Sequence, residues 1–372
     1  MKIVAISDLH LDASFDGCGF DAQVGRKLRY SLQKTLLNVV ELVKTSGADA
    51  LLCGGDLYEH DRFSPETASL LRYAFADLAP VPVYISPGNQ DWYGPQSLYQ
   101  QVDWSSNVHI FTSSQLSPVT IREGMTLWGA AHCAPTGSHN FLRGFRVDRG
   151  GAHIGLFHGS ETSWLKAEGE NKQPHGPFET AEIENAGLHH VFLGHYHEPR
   201  EAQLYTYPGN PHPLSFGENG NGHRGAVVAT ISEHGTVHRM WRPVANFPFH
   251  DLNLDIDANG CLTREHIRER ITQTVANLQG VARVTLSGEV PAELDFNPRD
   301  FSDVEHSMEG LLLRFGKLHP RFDFEVIAKE PTVRGQFVRD VLAAADIDSD
   351  KRNRILVTGL KALEGRRNLE VN

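Results

Sequence analysis

The sequence predicts an α/β layered fold followed by a smaller α+β unit and a helical tail. Over residues 1–245, short β-rich apolar runs alternate with turns containing Gly, Asn or Asp, often with a helix-period segment between them. The hydrophobic share of 40% and charged share of 22% are those of a soluble globular chain that can bury a sizeable core. At 372 residues the chain is too long for one ordinary domain. The composition shifts around Pro243–Pro248, which divides it into 1–245, 246–330 and 331–372.

Taken in order, the expected strands are Lys2–Ser7, Ala48–Cys53, Val81–Ser86, Ala152–Phe157, His189–Leu193 and Gly225–Ile231, each apolar enough to lie inside a sheet. Between the first two, Leu28, Leu32, Leu36, Val39, Val40 and Val43 recur at helical spacing and Gly47 follows as a C-cap. A second helix opens with Ser64 as N-cap and Pro65 at its first position, and Pro80 closes that run. Beyond residue 246, Ile267, Ile271, Val275 and Leu278 mark a helix ending at Gly280, with a strand around Val284 and Leu286. In the tail, Val333, Phe337 and Val341 form one helical stripe, and Ile355, Leu356, Leu360 and Leu363 another.

Met1 runs straight into strand-like sequence, and no stretch of about 18 apolar residues occurs, so a cytoplasmic protein that spans no membrane is expected. Cys18, Cys53, Cys133 and Cys261 are scattered without a CxxC pair, which favours reduced thiols over a disulfide framework or zinc knuckle. The net charge of -11 argues against a protein that coats nucleic acid electrostatically, so any DNA contact is local or shared with a partner.

The chemistry lies in where donor side chains fall. Asp8 with His10, Asp56, Asn89, His158, and His195 with His197 each sit at the carboxyl end of an expected strand. Such ends share one edge of an open α/β sheet, so loops leaving it converge. Alternation along an extended backbone would aim the two donors of Asp8-Leu9-His10, and of His195-Tyr196-His197, the same way. Gly54, Gly55, Gly88 and Gly194 permit the tight turns such loops need. Singly, each element also reads as an ordinary turn: Asn89 as a turn asparagine, Asp56 as a helix cap, His158 as one more histidine. Together they make a thiolate-free donor set suited to manganese, iron or zinc, with manganese the first expectation.

Asp8-x-His10, Gly55-Asp56, Gly88-Asn89-x-Asp91, His158 and Gly194-His195-x-His197 follow, in order, the signature of calcineurin-like metallophosphoesterases, which the chain therefore resembles. Within that superfamily, Gly55-Asp56-Leu57-Tyr58, the helix opened by Ser64-Pro65, and Thr206-Tyr207-Pro208-Gly209-Asn210 are similar to SbcD-type DNA repair nucleases. The resemblance implies a layered β-sandwich core flanked by helices, a smaller α+β DNA-capping domain and C-terminal helices. It implies two divalent metals, with Mg also admissible: Asp8, His10 and His197 on one, Asn89, His158 and His195 on the other, Asp56 bridging. Gln90 and Asp91 are the implied catalytic pair, and His60, Arg62, Trp92 and Tyr93 are candidate DNA contacts, the two aromatics expected to be exposed for stacking.

Two positions depart from that pattern. Gln90 stands where the family carries a histidine, and an amide donates a hydrogen bond but gives up no proton, so a general-acid contribution of about 10²–10⁴-fold is expected to be missing. Glu59 stands where another histidine often occurs, with His60 one step later. The expected function is a two-metal DNA nuclease that docks an SbcC-type coiled-coil ATPase through residues 331–372, where Arg334, Arg339, Lys351, Arg352 and Arg354 are interspersed. A homodimer is expected by analogy. The alternatives are a small-molecule phosphodiesterase or phosphatase and a non-catalytic DNA-tethering subunit.

Overall fold

Alternation in Lys2-Ile3-Val4-Ala5-Ile6 sends Ile3 and Ala5 to one face and Val4 and Ile6 to the other, and all four are buried, so this strand is covered on both sides. In a computed structural model describing residues 1–136, 139–164, 174–218, 224–256, 263–291, 298–301 and 303–365, it becomes β1 (Lys2–Ile6). β1 lies within a six-stranded sheet ordered β12 (Val237–Arg242), β11 (Ala226–Ile231), β1, β2 (Ala50–Cys53), β3 (Val83–Ile85) and β4 (Val108–Ile110). β1 to β4 run parallel, with Ile3 opposite Ala50 and Leu51 opposite Val83, and β11 returns antiparallel.

A second six-stranded sheet is ordered β5 (Ser117–Arg122), β6 (Met125–Gly129), β7 (Ala152–His158), β8 (His190–Gly194), β10 (Tyr205–Tyr207) and β9 (Arg200–Glu201). Its inner strands β6, β7, β8 and β10 are parallel. Ile3, Ala5 and Leu52 of the first sheet pack with Leu127, Ile154 and Leu156 of the second, which makes the core a β-sandwich. The outer face of the second sheet, with Phe157, Val191 and Leu193, packs with Phe141 and Ile183.

The helix α1 (Ala22–Ser46) starts where the Asp21 carboxylate accepts from the Gln23 and Val24 amides, and it stops at Gly47, whose φ of 61° closes the last turn. Each of its buried leucines and valines contributes about 1.5–3 kcal/mol, against about 1 kcal/mol for the cap, so burial against β1 and the next helix decides its position. That helix is α2 (Pro65–Ala76), capped by Ser64 with Pro65 at its first position. Two short helices follow, α3 (Leu98–Gln101) and α4 (Thr180–Ala186). This unit spans Met1–Phe249.

The second unit, His250–Asn372, has its own cores. In one, α5 (Arg264–Val275) packs Ile267, Ile271 and Val275 with Val284 and Leu286 of a three-stranded sheet, β13 (Phe249–Asp255), β14 (Val281–Pro291) and β15 (Gly310–Arg321) in that order. In the other, α6 (Phe324–Ile327), α7 (Val333–Ala343) and α8 (Ser349–Leu363) enclose Ile327, Val338, Leu356 and Leu360.

The layered α/β class with a flanked sandwich is therefore the fold, and the six expected strands are present. α5 ends at Val275 instead of reaching Gly280, and Gly280, with φ 79°, stands directly before β14. On α7 Gly335 and Val338 are buried and Phe337 and Val341 of the expected stripe pack half-buried against the same core, while Val333, at the start of the helix, is 76% exposed. Cys18, Cys53 and Cys133 form no disulfide among the described residues, and Cys261 lies outside them. Among the described residues no helix is long and apolar enough to cross a membrane.

His190, on β8, is buried with its ring between the Gln203 carbonyl, the Thr206 hydroxyl at 2.9 Å and the Arg239 guanidinium at 3.3 Å. Burial, then Arg239, holds its pKa down to about 3. A histidine kept neutral in the fold stabilises fully above its unfolded pKa near 6.5, and that stability is lost as pH falls from about 6.5 toward 3, at about 1.4 kcal/mol per pH unit. Urea titrations at pH 7 and pH 5 should show a His190→Gln variant losing less stability on acidification, by about one proton's worth of slope.

Candidate metal centre

Donors from both sheets meet at one place. Asp8 and His10 follow β1, Asp56 follows β2 and Asn89 follows β3, whereas His158 ends β7 and His195 and His197 follow β8. The expectation of a single sheet edge is corrected accordingly: two edges face each other across the sandwich. Glycine makes that approach possible, since a Cβ on Gly194 would overlap the Gly54 carbonyl oxygen and one on Gly88 would overlap the Asp56 carboxylate.

The loops are tied to one another by backbone hydrogen bonds. The Asp8 amide donates to the Gly55 carbonyl and the His10 amide to the Asp56 carbonyl, both at 2.9 Å. Asp8, His10, Asp56 and His195 take φ of 54°, 50°, 52° and 111°, the left-handed half of backbone space. The donors of Asp8-Leu9-His10 thus share a side because two residues reverse the chain, and extended alternation is not the cause.

Asp56 Oδ1 accepts from the Gln90 amide at 2.7 Å, which turns Oδ2 toward His158 Nε2 at 3.3 Å and His10 Nε2 at 3.8 Å. His10 Nε2 lies 3.2 Å from His197 Nε2, and His158 Nε2 lies 3.0 Å from Asn89 Oδ1. Asp8 accepts the His195 amide on both oxygens, and the His195 ring stands 5.4 Å from that of His158. The sequence reading thus named seven side chains that the fold brings together.

Burial opposes charge throughout this cluster, and neighbours decide the balance. Burial and the other acidic group push Asp8 up, against the pull of His158. For Asp56, burial is outweighed by His158 and then His10, so its carboxyl is held well below the usual range. Burial also works against the His10 and His158 cations, but the Glu59 hydrogen bond for the former and Asp56 for the latter raise both to about 9. His195 goes the other way, kept neutral by burial and His158. Buried carboxylates beside converging imidazoles are the donor chemistry of a divalent cation. Ligand atoms of Asp8, His10 and His197 lie within 4.8 Å of one another, as do those of Asp8, Asp56 and His158, so the residues present fit such ions.

The hydrogen bonds behind the donors carry no signal in the sequence. Glu59 Oε1 meets His10 Nδ1 at 2.8 Å, Glu218 Oε1 meets His197 Nδ1 at 2.9 Å, and the Gly54 carbonyl meets His158 Nδ1 at 2.9 Å. Glu218 also accepts from Asn210 Nδ2 and the Leu214 amide, and Arg224 donates to the Glu218, Asn210 and His197 carbonyls. No spacing in the sequence marks Glu218 or Arg224, which lie beyond the Thr206–Asn210 segment and engage it through Asn210.

Three expectations about neighbouring residues change. Asp91, expected to be catalytic, is fully buried and accepts from the Asp56, Leu57 and Gly88 amides and the Tyr99 hydroxyl, so it ties the β2 and β3 loops together beneath the cavity. Trp92 and Tyr93 are half-buried instead of exposed, with the Trp92 ring tilted against that of His60 at a centroid distance of 4.5 Å. Arg62 and Gln90 are exposed, and Gln90 lines the cavity. That cavity, about 620 Å³, is also walled by Arg200, whose guanidinium lies between the Trp164 and Tyr196 rings.

The family profile for calcineurin-like phosphoesterases matches residues 1–199. No curated protein sequence matches the chain. A crystal structure of a Thermus thermophilus protein is 15% identical with a TM-score of 0.34, covering 58% of this chain and 91% of that one. A conserved uncharacterized protein of Streptococcus pneumoniae, titled a predicted phosphoesterase, is 13% identical with a TM-score of 0.26, covering 65% and 97%.

Removing the Asp91 carboxylate would leave three buried amides and the Tyr99 hydroxyl without their acceptor, each costing about 1–3 kcal/mol. Asp91→Ala should therefore lower stability by about 4 kcal/mol or more in chemical denaturation. A loss under about 1 kcal/mol would contradict this tying role.

Proposed function

The chain belongs to the calcineurin-like phosphoesterase family, and on that premise we propose that it is a two-metal DNA nuclease of the SbcD type. Metal-dependent phosphoester hydrolysis is the chemistry of the family. In this reading Asp8, His10 and His197 would hold one ion, Asn89, His158 and His195 the other, and Asp56, whose Oδ2 faces both His10 and His158, would be shared between them. The chemistry supplied by two divalent ions held there, with Mn²⁺ the first choice, would be polarisation of the phosphodiester and activation of a water for attack.

The chain's own residues supply the rest. The Gln90 amide group, at the cavity wall, donates a hydrogen bond to a phosphate oxygen but no proton. Its backbone N–H orients the bridging carboxylate. His60 holds the Gln90 carbonyl through its own amide at 3.0 Å, which fixes that loop at the rim. Asp91 acts by positioning these loops.

The observation that carries the nuclease reading is the second unit, with one α+β core and a separate helical core. A small-molecule enzyme has little use for either, whereas a nuclease served by a capping domain and a docked SbcC-type ATPase uses both. Exposed Val333, Leu342 and Leu363 on α7 and α8 are available to such a partner. A cavity of about 620 Å³ favours the second reading, a small-molecule phosphodiesterase, since it falls within the usual size of ligand pockets.

A panel of linear duplex DNA, single strands, hairpins and cyclic nucleotides, assayed with Mn²⁺ alongside metal analysis, separates the readings. The expected result is two ions per chain and cleavage of DNA, abolished by Asp56→Ala. Activity confined to cyclic nucleotides would overturn the nuclease reading. Gln90→His should raise kcat by about 10²-fold or more by restoring a proton donor, and equal rates would remove Gln90 from the account. Deleting residues 331–372 should abolish copurification with an SbcC-type subunit while leaving metal content unchanged.

A further inference from the structure

The imidazoles of the two half-sites are not supported alike. His10 and His197 each present Nδ1 to a carboxylate, Glu59 at 2.8 Å and Glu218 at 2.9 Å. His158 presents Nδ1 to a neutral acceptor, the Gly54 carbonyl at 2.9 Å. Its companion Asn89 is a neutral amide, and Asp8, whose carboxylate lies near His10 and His197 and also near Asp56 and His158, favours neither side, so the difference rests on the groups behind the rings.

From this asymmetry we infer that the two metal positions are unequal, with Glu59 and Glu218 as positioning residues that make the Asp8–His10–His197 position the tight one. The Asn89–His158–His195 position is then the weak, exchangeable one. The inference rests on the ligand assignment proposed above. A carboxylate on the far nitrogen fixes the ring's orientation and polarises it toward the metal, and losing such a partner typically costs about 10–100-fold in affinity. Among the described residues two such partners fall on one position, whereas no carboxylate meets the far nitrogen of His158 or a ring nitrogen of His195 on the other. Asp56 does not offset this, since the same oxygen serves both sides.

Charge adds in the same direction. Glu59 and Glu218 are both largely buried and line the cavity, so their attraction for a dication is only partly screened. Glu218 is itself anchored, at 2.6 Å from Asn210 Nδ2 and 2.8 Å from the Leu214 amide, so it reaches His197 already oriented. Glu59 comes from a different loop, next to the bridging Asp56, so the two carboxylates can be removed independently.

The test is a titration of chelator-stripped, full-length protein with Mn²⁺, followed by calorimetry and by Mn²⁺ electron paramagnetic resonance. Wild type should show two binding events at least about tenfold apart. Glu59→Gln and Glu218→Gln should each weaken only the tight event, by about 10–100-fold, and Asn89→Ala should remove only the weak one. Glu218→Asp should recover part of the lost affinity, and circular dichroism melts check that each variant is folded. A general structural defect would weaken both events together. Two indistinguishable events in wild type, or equal weakening of both by Glu59→Gln, would overturn the inference and leave the two-metal reading standing. No Mn²⁺ uptake at millimolar ion would overturn both.

Discussion

The His158 ring spans the gap between the two sheets, with Nδ1 on the Gly54 carbonyl from β2 and Nε2 beside Asp56 and Asn89 from the loops after β2 and β3. This contact requires the carboxyl ends of β2, β7 and β8 to approach more closely than side chains allow. Gly54, Gly88 and Gly194 provide that spacing, and the sandwich core of Ile3, Leu52, Ile154 and Leu156 sustains it from behind. Everything at the centre follows from it: the direction of Asp56 Oδ2, the reach of His10 to His197, and the cavity they line. Packing at native density transmits such a spacing rigidly, because few voids are available to absorb a shift.

Much of this was legible in the sequence, for physical reasons that differ by element. β1, β2, β7 and β8 are buried on both faces, so their near-continuous apolar runs stand out, and α1 announces itself through its stripe and Gly47. β4, β9 and β10 hold only two or three residues and carry no period, and β5, an edge strand, contains Pro118, which the ladder tolerates only at an edge. Within the site, donors tied to strand ends could be named because position along a strand is a local property. Glu218 and Arg224 could not, and Glu59 could be named only as a departure from the motif, since their role exists only through contacts between loops far apart in sequence. Asp91 was visible as part of a motif, but whether a motif carboxylate faces the cavity or the protein interior is decided by burial alone.

The charge of the whole chain and the charge of the site pull in different directions. A net charge of -11 repels a polyanion at long range. At the centre, Asp8, Asp56, Glu59 and Glu218 add further negative charge, which bound dications would reverse locally. Recognition of a phosphodiester would then depend on loading with metal, with Arg200, held between Trp164 and Tyr196, as a fixed cation on the wall. A chain of this kind binds its substrate through short-range contacts more than through diffuse attraction.

The left-handed backbone at Asp8, His10, Asp56 and His195 has a consequence for how this centre can change over generations. Among residues with a side chain, Asp, Asn and His enter that region with least strain, and these are the oxygen and imidazole donors in place. A drift to cysteine or to a longer carboxylate at any of the four would meet a conformational barrier before its chemistry was tried. Substitutions that stay within Asp, Asn and His remain open. Backbone shape therefore confines the repertoire to ions that accept oxygen and imidazole, and a thiolate-based descendant would first have to rebuild the loops.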